Sequence, residues 1–101
     1  MRFAVMGAGG HSREAADLVA ACGHEVAGFT DDALTGTHHP TGLAISADLA
    51  SIEADAVTVA VGNPQSRASL FERAQGRPVP ALVHPSACVS PHAAIGDGVQ
   101  V

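Results

Sequence analysis

A glycine-rich segment near the amino terminus is the first part of this chain that could bind a ligand. Gly9 and Gly10 lie in GAGGHS, between the apolar run RFAVM and a segment with helically spaced apolar residues. Glycine lets a backbone approach a phosphate closely, and the N–H groups that begin a helix attract anions. We therefore predict that Gly9 and Gly10 contact an anionic ligand. The alternative is a tight turn that needs glycine.

Three polar residues stand where strands of a predicted sheet would end. His11 follows the glycines, and it could donate to a phosphate or a ligand hydroxyl, or cap the helix. Asp31 and Asp32 follow the run EVAGFT, and open α/β folds bind ligands beyond the carboxyl ends of their strands. A carboxylate there accepts from a ribose hydroxyl, a base N–H or an amino group. The alternative for the two aspartates is a solvated turn.

A third group follows the apolar run DAVTVAV. Gly62 and Asn63 come directly after it, and Arg67 stands one helical turn further on. We predict that all three contact the same ligand and that Arg67 binds a phosphate. The alternative is that Asn63 caps a helix and Arg67 is a surface residue.

The remaining histidines give no metal site. His38 and His39 are adjacent, and no cysteine or carboxylate stands at ligand spacing from them, so we expect both in a surface loop. His84 and His92 are expected to face solvent or a neighbouring subunit.

Composition excludes several classes of function. The 101 residues suffice for one domain, and five arginines without lysine against ten acidic residues give a net charge of −5. Nucleic acid and anionic membranes are therefore not expected as partners. Cys22 and Cys88 lack metal-ligand spacing and are expected to be reduced thiols. The start MRFAVMGAGG is too short for a spanning helix and lacks signal-peptide layout, so we expect a cytoplasmic protein.

The elements that position these residues alternate between strand and helix. The alternation predicts a small Rossmann-like domain over residues 1–82, an α/β fold with a parallel sheet and helices on both faces. We predict strands at 2–6, 25–32, 42–45, 55–61 and 79–83, helices at 12–22, 47–52 and 64–75, and a surface loop at 33–41. Ser46, Asn63 and Pro64 are the predicted helix-starting residues, and Gly23 and Gly76 the predicted helix-ending ones.

Residues 83–101 have a different period. Branched apolar residues recur every six positions, with small or apolar residues four places after each of the first three. The two series are Val83, Val89, Ile95 and Val101, and Ala87, Ala93 and Val99. A six-residue period is typical of a parallel β-helix, and three hexapeptides would form its first coil. Because one coil has almost no core of its own, we expect the chain to be the front end of a longer protein.

Four segments together carry a resemblance to a known family. GAGGH, GFTDD, VAVGNPQSR and HPSACVSPHAAIGDGVQV, in this order and spacing, resemble the sugar O-acyltransferases and N-acetyltransferases of the NeuD/PglD type. The resemblance implies a Rossmann-like domain that binds the sugar acceptor, followed by a left-handed β-helix. In this family the β-helix forms trimers, binds acetyl-CoA between subunits and carries a histidine that acts as general base.

Carried over by position, the resemblance implies that a nucleotide-sugar, such as a UDP-sugar, contacts both glycines, His11, the aspartates, Gly62 and Asn63. The family's catalytic histidine and most of its acetyl-CoA site lie further along the β-helix than residue 101. We therefore expect no catalytic residue in this chain, no binding of acetyl-CoA by it alone, and no acetyl transfer. Whether the acceptor group is an amine or a hydroxyl stays open.

Two other functions compete with this hypothesis. One is a nucleotide- or dinucleotide-binding module whose terminal repeat serves only oligomerisation. The other is a nicotinamide-dependent oxidoreductase, which is disfavoured because Ser12 stands where a dinucleotide fingerprint has glycine or alanine. The chain also has no tyrosine to act as proton donor and no substrate domain.

Overall fold

The computed structural model describes residues 1–74, 76–90 and 95–101. Its centre is a five-stranded sheet in the order β3-β4-β2-β1-β5. The strands are β1 (Arg2–Met6), β2 (Glu25–Thr30), β3 (Gly36–Thr37), β4 (Ala44–Ser46) and β5 (Ala56–Val59). The helices are α1 (Ser12–Ala21) and α2 (Pro64–Glu72), with a 3₁₀ turn at Leu49–Ser51. All pairs are parallel except β3 with β4, so the predicted α/β fold with a parallel sheet is confirmed.

Alternate residues of the central strand β1 face two separate halves of the core. Phe3 and Val5 pack with the alanines and Val19 of α1, while Ala4 and Met6 pack with the 3₁₀ turn and the inner face of α2. All four residues are 2% exposed or less, as expected of a strand with helices on both sides. The sheet therefore holds the carboxyl ends of β1, β2 and β5 at one common edge.

Local signals set the bounds of the helices. Gly23 follows the end of α1 in a left-handed conformation with φ of 81°, as predicted. Asn63 caps α2, its side-chain oxygen accepting from the N–H groups of Gln65 and Ser66 at 3.0 and 3.1 Å, and Pro64 occupies the first helical position. Among the described residues, no helix is long and apolar enough to cross a membrane.

Three local predictions were wrong. The predicted loop 33–41 contains β3 and a buried His38, because β4 offers β3 an antiparallel partner. The predicted helix 47–52 is only a 3₁₀ turn, and its cap is the carboxylate of Asp48 rather than Ser46. No strand forms over 79–83, because Pro80 within this range and Pro78 just before it lack the N–H groups that a sheet requires.

Among its described residues, the terminal segment, residues 82–101, pairs with itself at one β-bridge. Leu82 is buried and bridges in parallel to Gln100, three hexapeptides further on, which is the pairing that one coil of a parallel β-helix would make. The periodic residues Val83, Val89, Ile95 and Val101 remain between 36 and 41% exposed. A β-helix that begins at residue 83 therefore stays a prediction. His92 and Ala93 lie outside the described residues.

Candidate functional site

The glycine turn after β1 separates a glycine that the fold requires from two that it does not. Gly7 is buried with φ of 114°, and a Cβ there would lie 2.9 Å from the carbonyl oxygen of Ala60. Gly9 and Gly10 are exposed, and a Cβ at either would meet no protein atom within 4 Å. The predicted alternative, a turn that needs glycine, therefore applies to Gly7, while the small residues at 9 and 10 leave room for something outside the protein.

Asp31 ties this turn to the end of β2. One carboxylate oxygen accepts from the Ala8 N–H at 2.9 Å, and the other accepts from the N–H groups of Ala33 and Leu34, also at 2.9 Å. Partial burial acts to raise the pKa of Asp31, but the hydrogen bonds from Leu34, Ala8 and Ala33 together outweigh it and hold the pKa below its usual range. Asp31 thus carries a fixed negative charge and orients the turn, a structural role in addition to the predicted contact with ligand.

Asp32 forms a two-pronged ion pair with Arg73, just after α2. The Arg73 Nη2 and Nη1 atoms lie 2.8 and 3.1 Å from the two carboxylate oxygens. Hydrogen bonding and the positive charge of Arg73 hold the pKa of Asp32 below its usual range, and Asp32 in turn raises the pKa of Arg73. Both side chains are about half exposed or more, so the arginine is open to an incoming anion.

A cavity of about 450 Å³ lies between these groups. The strand ends contribute Gly7, Thr30, Asp31, Asp32 and Ala33, and the start and one face of α2 contribute Gln65, Ser66, Ser69, Leu70 and Arg73, with Val61 between them. The walls therefore carry hydroxyls, two carboxylates and one guanidinium. Ser66, Ser69 and Arg73 had not been predicted as site residues, although their spacing puts them on one face of a helix that begins at Pro64.

A second groove, of about 410 Å³, lies on the other side of the glycine turn. Its lining combines the turn, the first residues of α1 and the loop around β3. The named residues are Ala8, Gly9, Gly10, Ser12, Arg13, Leu34, Thr35, Thr37, His38, His39, Pro40 and Ile45. The two predicted glycines thus lie in one groove and the two predicted aspartates in the neighbouring cavity, with the turn and Asp31 between them.

His11 and Gly62 are exposed, and neither lines these cavities. His11 occupies the N-cap position of α1, but its side chain makes no capping hydrogen bond. The amide oxygen of Asn63 is occupied by the cap of α2. Ligand contacts by these three residues stay predictions that rest on sequence position.

Arg67 is directed away from the cavity. Its guanidinium donates to the carbonyl oxygens of Val59 at 3.0 Å and Gly98 at 2.7 Å, and it lies 5.2 Å from the centre of the Phe71 ring. The Gln100 amide donates to the same Val59 carbonyl at 3.0 Å. Arg67 and Gln100 therefore attach the terminal segment to the edge strand β5, so the geometry favours a structural role over the predicted phosphate contact.

Metal binding finds no support in the part of the chain that is described. No cluster of three or more histidine, cysteine or acidic side chains could hold an ion among those residues. Cys22 and Cys88 are both free thiols.

Comparisons with known proteins identify relatives of the same architecture. The family model of the PglD N-terminal domain matches residues 2–74, the range that contains all residues lining both cavities. The acetyltransferase domain of PglB from Neisseria gonorrhoeae has a TM-score of 0.81 and 36% identity, over 98% of this chain and 52% of its own. The same domain solved with acetyl coenzyme A is similar, with a TM-score of 0.82 and 38% identity over 98% and 51%.

A mutant of perosamine N-acetyltransferase from Caulobacter crescentus, in complex with CoA and GDP-perosamine, has a TM-score of 0.83 and 29% identity. The match covers all of this chain and 51% of that one, so the chain spans about half the length of these structures. No curated protein matches the sequence significantly.

Proposed function

Because this chain belongs to the PglD N-terminal domain family, we propose that it is the acceptor-binding part of an acetyl-CoA-dependent nucleotide-sugar acetyltransferase. The observation that carries the proposal is the cavity beside the glycine turn, whose lining falls entirely within the matched range. Similar structures are acetyltransferases, two of them bound to acetyl coenzyme A or to CoA with GDP-perosamine. The complex with GDP-perosamine supports a nucleoside diphosphate-sugar as the acceptor. Its base is guanine or, as the sequence resemblance implies, uracil.

The charges around the turn suit a diphosphate. A chain with a net charge of −5 must hold an anion by local groups, and the exposed glycine turn presents the backbone at the start of the ten-residue helix α1. Arg73 lines the adjoining cavity and is held in place by Asp32. We place the diphosphate over Gly9 and Gly10, where their groove adjoins the cavity that Arg73 lines.

The remaining polar groups of the cavity suit hydroxyl and amino groups. Ser66 and Ser69 can donate or accept, and the carboxylate of Asp32 accepts. Contacts of His11, Gly62 and Asn63 with the same ligand remain part of the proposal on the ground of position. The sequence also predicts that Arg67 binds a phosphate, and an Arg67→Gln variant in the same titrations tests this contact.

Chemistry belongs to the longer enzyme in this proposal. Acetyl-CoA is its co-substrate, the general base lies beyond residue 101, and this chain alone binds no acetyl-CoA and transfers no acetyl group. A homotrimeric, cytoplasmic parent without nucleic-acid or membrane partners completes the proposal.

Calorimetry with the 101-residue chain tests the binding function. Titrations with UDP, GDP, NAD and acetyl-CoA should show heat with UDP or GDP, and none with acetyl-CoA. An Arg73→Gln variant should weaken binding of the nucleotide. Arg13→Gln, a change of the same type in the groove that holds Gly9 and Gly10, reports whether that arginine also contributes to the affinity. Tight binding of NAD without UDP or GDP would instead support a dinucleotide-binding module.

A further inference from the structure

A buried histidine outside the predicted site joins the loop around β3 to the glycine turn. His38 is 4% exposed, and its ring stacks on Phe29 with centroids 3.8 Å apart. Its Nε2 atom lies 2.7 Å from the Ser12 hydroxyl and its Nδ1 atom 2.9 Å from the Thr41 hydroxyl. Because both ring nitrogens have partners within the protein, His38 is not free to bind a ligand through them.

The partners of Ser12 fix the direction of this hydrogen-bond chain. The Ser12 hydroxyl has one hydrogen, which it donates to the Gly9 carbonyl, so its oxygen accepts from the Nε2–H of His38. A neutral imidazole with its proton on Nε2 accepts at Nδ1, where the Thr41 hydroxyl donates. Burial favours this neutral form and lowers the pKa of His38. The chain of hydrogen bonds therefore runs from Thr41 through His38 and Ser12 to the Gly9 carbonyl, and each of these groups has a hydrogen-bond partner.

This chain of hydrogen bonds ends at a part of the site that has few other contacts with the protein. Gly9 and Gly10 are exposed and meet little of the protein, and glycine loses the most conformational freedom when it is ordered. The Gly9 carbonyl accepts from both the N–H and the hydroxyl of Ser12, which restrains the turn before any ligand arrives. A site that is ordered in advance loses less entropy on binding.

We propose that His38 is a positioning residue for the nucleotide site: through Ser12 it holds the glycine turn in the conformation that binds the diphosphate, and a second proton on its ring releases the turn. The inference rests on the proposed nucleotide-binding function. A doubly protonated ring donates from both nitrogens, so Thr41, whose oxygen also accepts from the Leu43 N–H at 3.3 Å, could no longer donate to it.

The surroundings offer little to stabilise a charged ring. The charged or titratable neighbours that line the same groove are Arg13 from α1 and His39 from the same loop, while β2 contributes the apolar face of Phe29. No carboxylate lines the groove among the described residues. Protonation of His38 leaves its Nε2–H bond to Ser12 in place, but it reverses the bond with Thr41 and puts a buried charge beside Phe29 without a compensating ion pair. That charge is relieved when the loop around β3 moves away from Ser12 into solvent, and this movement is what releases the turn.

Affinity for GDP and UDP, measured by calorimetry at pH 7.5 and 5.5, tests the proposal. Ser12→Ala and His38→Leu should each weaken binding at pH 7.5 by about two- to tenfold, the effect of one hydrogen bond. His38→Gln keeps a donor at the position of Nε2 and does not titrate, so it should retain most of the affinity and lose part of the pH dependence. Protonation of the nucleotide phosphate also changes affinity with pH. This effect is the same for wild type and His38→Gln when both are titrated with the same nucleotide, so it cancels in the comparison.

His84→Gln is the matched control, since His84 is exposed and does not line the groove; it should keep the wild-type pH profile. Equal pH profiles for wild type and His38→Gln, or wild-type affinity in Ser12→Ala, would overturn the proposal.

A ligand-free measurement separates this inference from the proposed function. In ¹⁵N-labelled chain, the amide signals of Gly9 and Gly10 should shift with the midpoint of the His38 ring, and they should not do so in His38→Gln. Failure of the wild type to bind either nucleotide would reject the proposed function. Glycine signals that ignore the His38 titration would reject the control of the turn by His38, whatever binds.

Discussion

Alanine at Gly7 and alanine at Gly10 should have opposite effects on stability, although the two glycines stand three positions apart in one turn. At Gly7, φ of 114° is unfavourable for a side chain, and the new Cβ would lie 2.9 Å from the Ala60 carbonyl oxygen and 3.1 Å from a methyl of Val61. Strain of this kind costs about 1–3 kcal/mol. At Gly10, φ is outside the left-handed region and the space is open, so alanine should stabilise by roughly 0.4–1 kcal/mol through the unfolded chain.

Thermal and urea unfolding, followed by circular dichroism, measure both changes. A loss of about 2 kcal/mol in Gly7→Ala corresponds to a Tm lower by roughly 8–16 °C for a domain of this size. Gly10→Ala should melt at or slightly above the wild-type temperature. The same protein samples then serve for nucleotide titrations, where Gly10→Ala should bind GDP or UDP about tenfold more weakly or worse, because its methyl group obstructs backbone contact with a charged phosphate.

Stability and nucleotide affinity, measured together, show whether a glycine is required by the fold or by the ligand. A stable Gly10→Ala with weakened nucleotide binding would indicate that this glycine is required by the ligand rather than by the fold. A Gly10→Ala variant that melts as low as Gly7→Ala would refute the reasoning, because it would show that the turn itself needs glycine at position 10. Wild-type stability in Gly7→Ala would contradict the geometry on which the comparison rests.

Three further predictions concern charged side chains around the sheet edge. Asp31→Asn should lower stability at pH 7. In wild type, the stabilisation by this carboxylate should be lost as the pH falls through its folded pKa, which lies below the ordinary value of 3.8. Acid unfolding of both proteins measures this difference. Arg73→Gln should weaken nucleotide binding yet change the free energy of unfolding little, because its ion pair is exposed; a large loss of stability would contradict this. Arg67→Gln should increase hydrogen exchange near Gly98 and leave nucleotide affinity intact, whereas a loss of affinity without faster exchange would restore its predicted role in binding.

Helices and strands whose bounds are set by residues close together in the sequence could be predicted from the sequence. The first strand, glycine turn and helix follow from RFAVM, from GAGG and from the apolar spacing after Ser12, all within the first 22 residues. Asn63 and Pro64 predict the start of α2, because a capping residue and a proline in the first turn act on residues only two or three positions away. These interactions are formed by residues close in sequence, so no knowledge of the tertiary fold is required.

His38 and Arg67 could not be assigned in this way. The partner of His38 on α1 stands 26 residues earlier, and a histidine in a segment rich in Gly, Thr and Pro has the composition of an exposed loop. Arg67 stands where a phosphate-binding arginine would, but its direction depends on carbonyl groups of β5 and of Gly98, which the sheet and the terminal segment bring together. Arg73 was missed because its partner, Asp32, is 41 positions away.

The glycine turn is held from both sides by groups that lie on different elements, and this explains how an acidic chain could present an anion site. Asp31 fixes Ala8 from the end of β2, and His38 fixes Gly9 through Ser12 from the loop around β3. A negative charge at Asp31 would repel a phosphate if it were free, but its oxygens are directed to three N–H groups of the backbone. The carboxylate therefore orders the turn, while in the proposed site the helix start and Arg73 supply the attraction for the ligand. Fixing the turn and attracting the anion are thus separate tasks of separate residues, and variants at Asp31 and Arg73 should differ in just this respect.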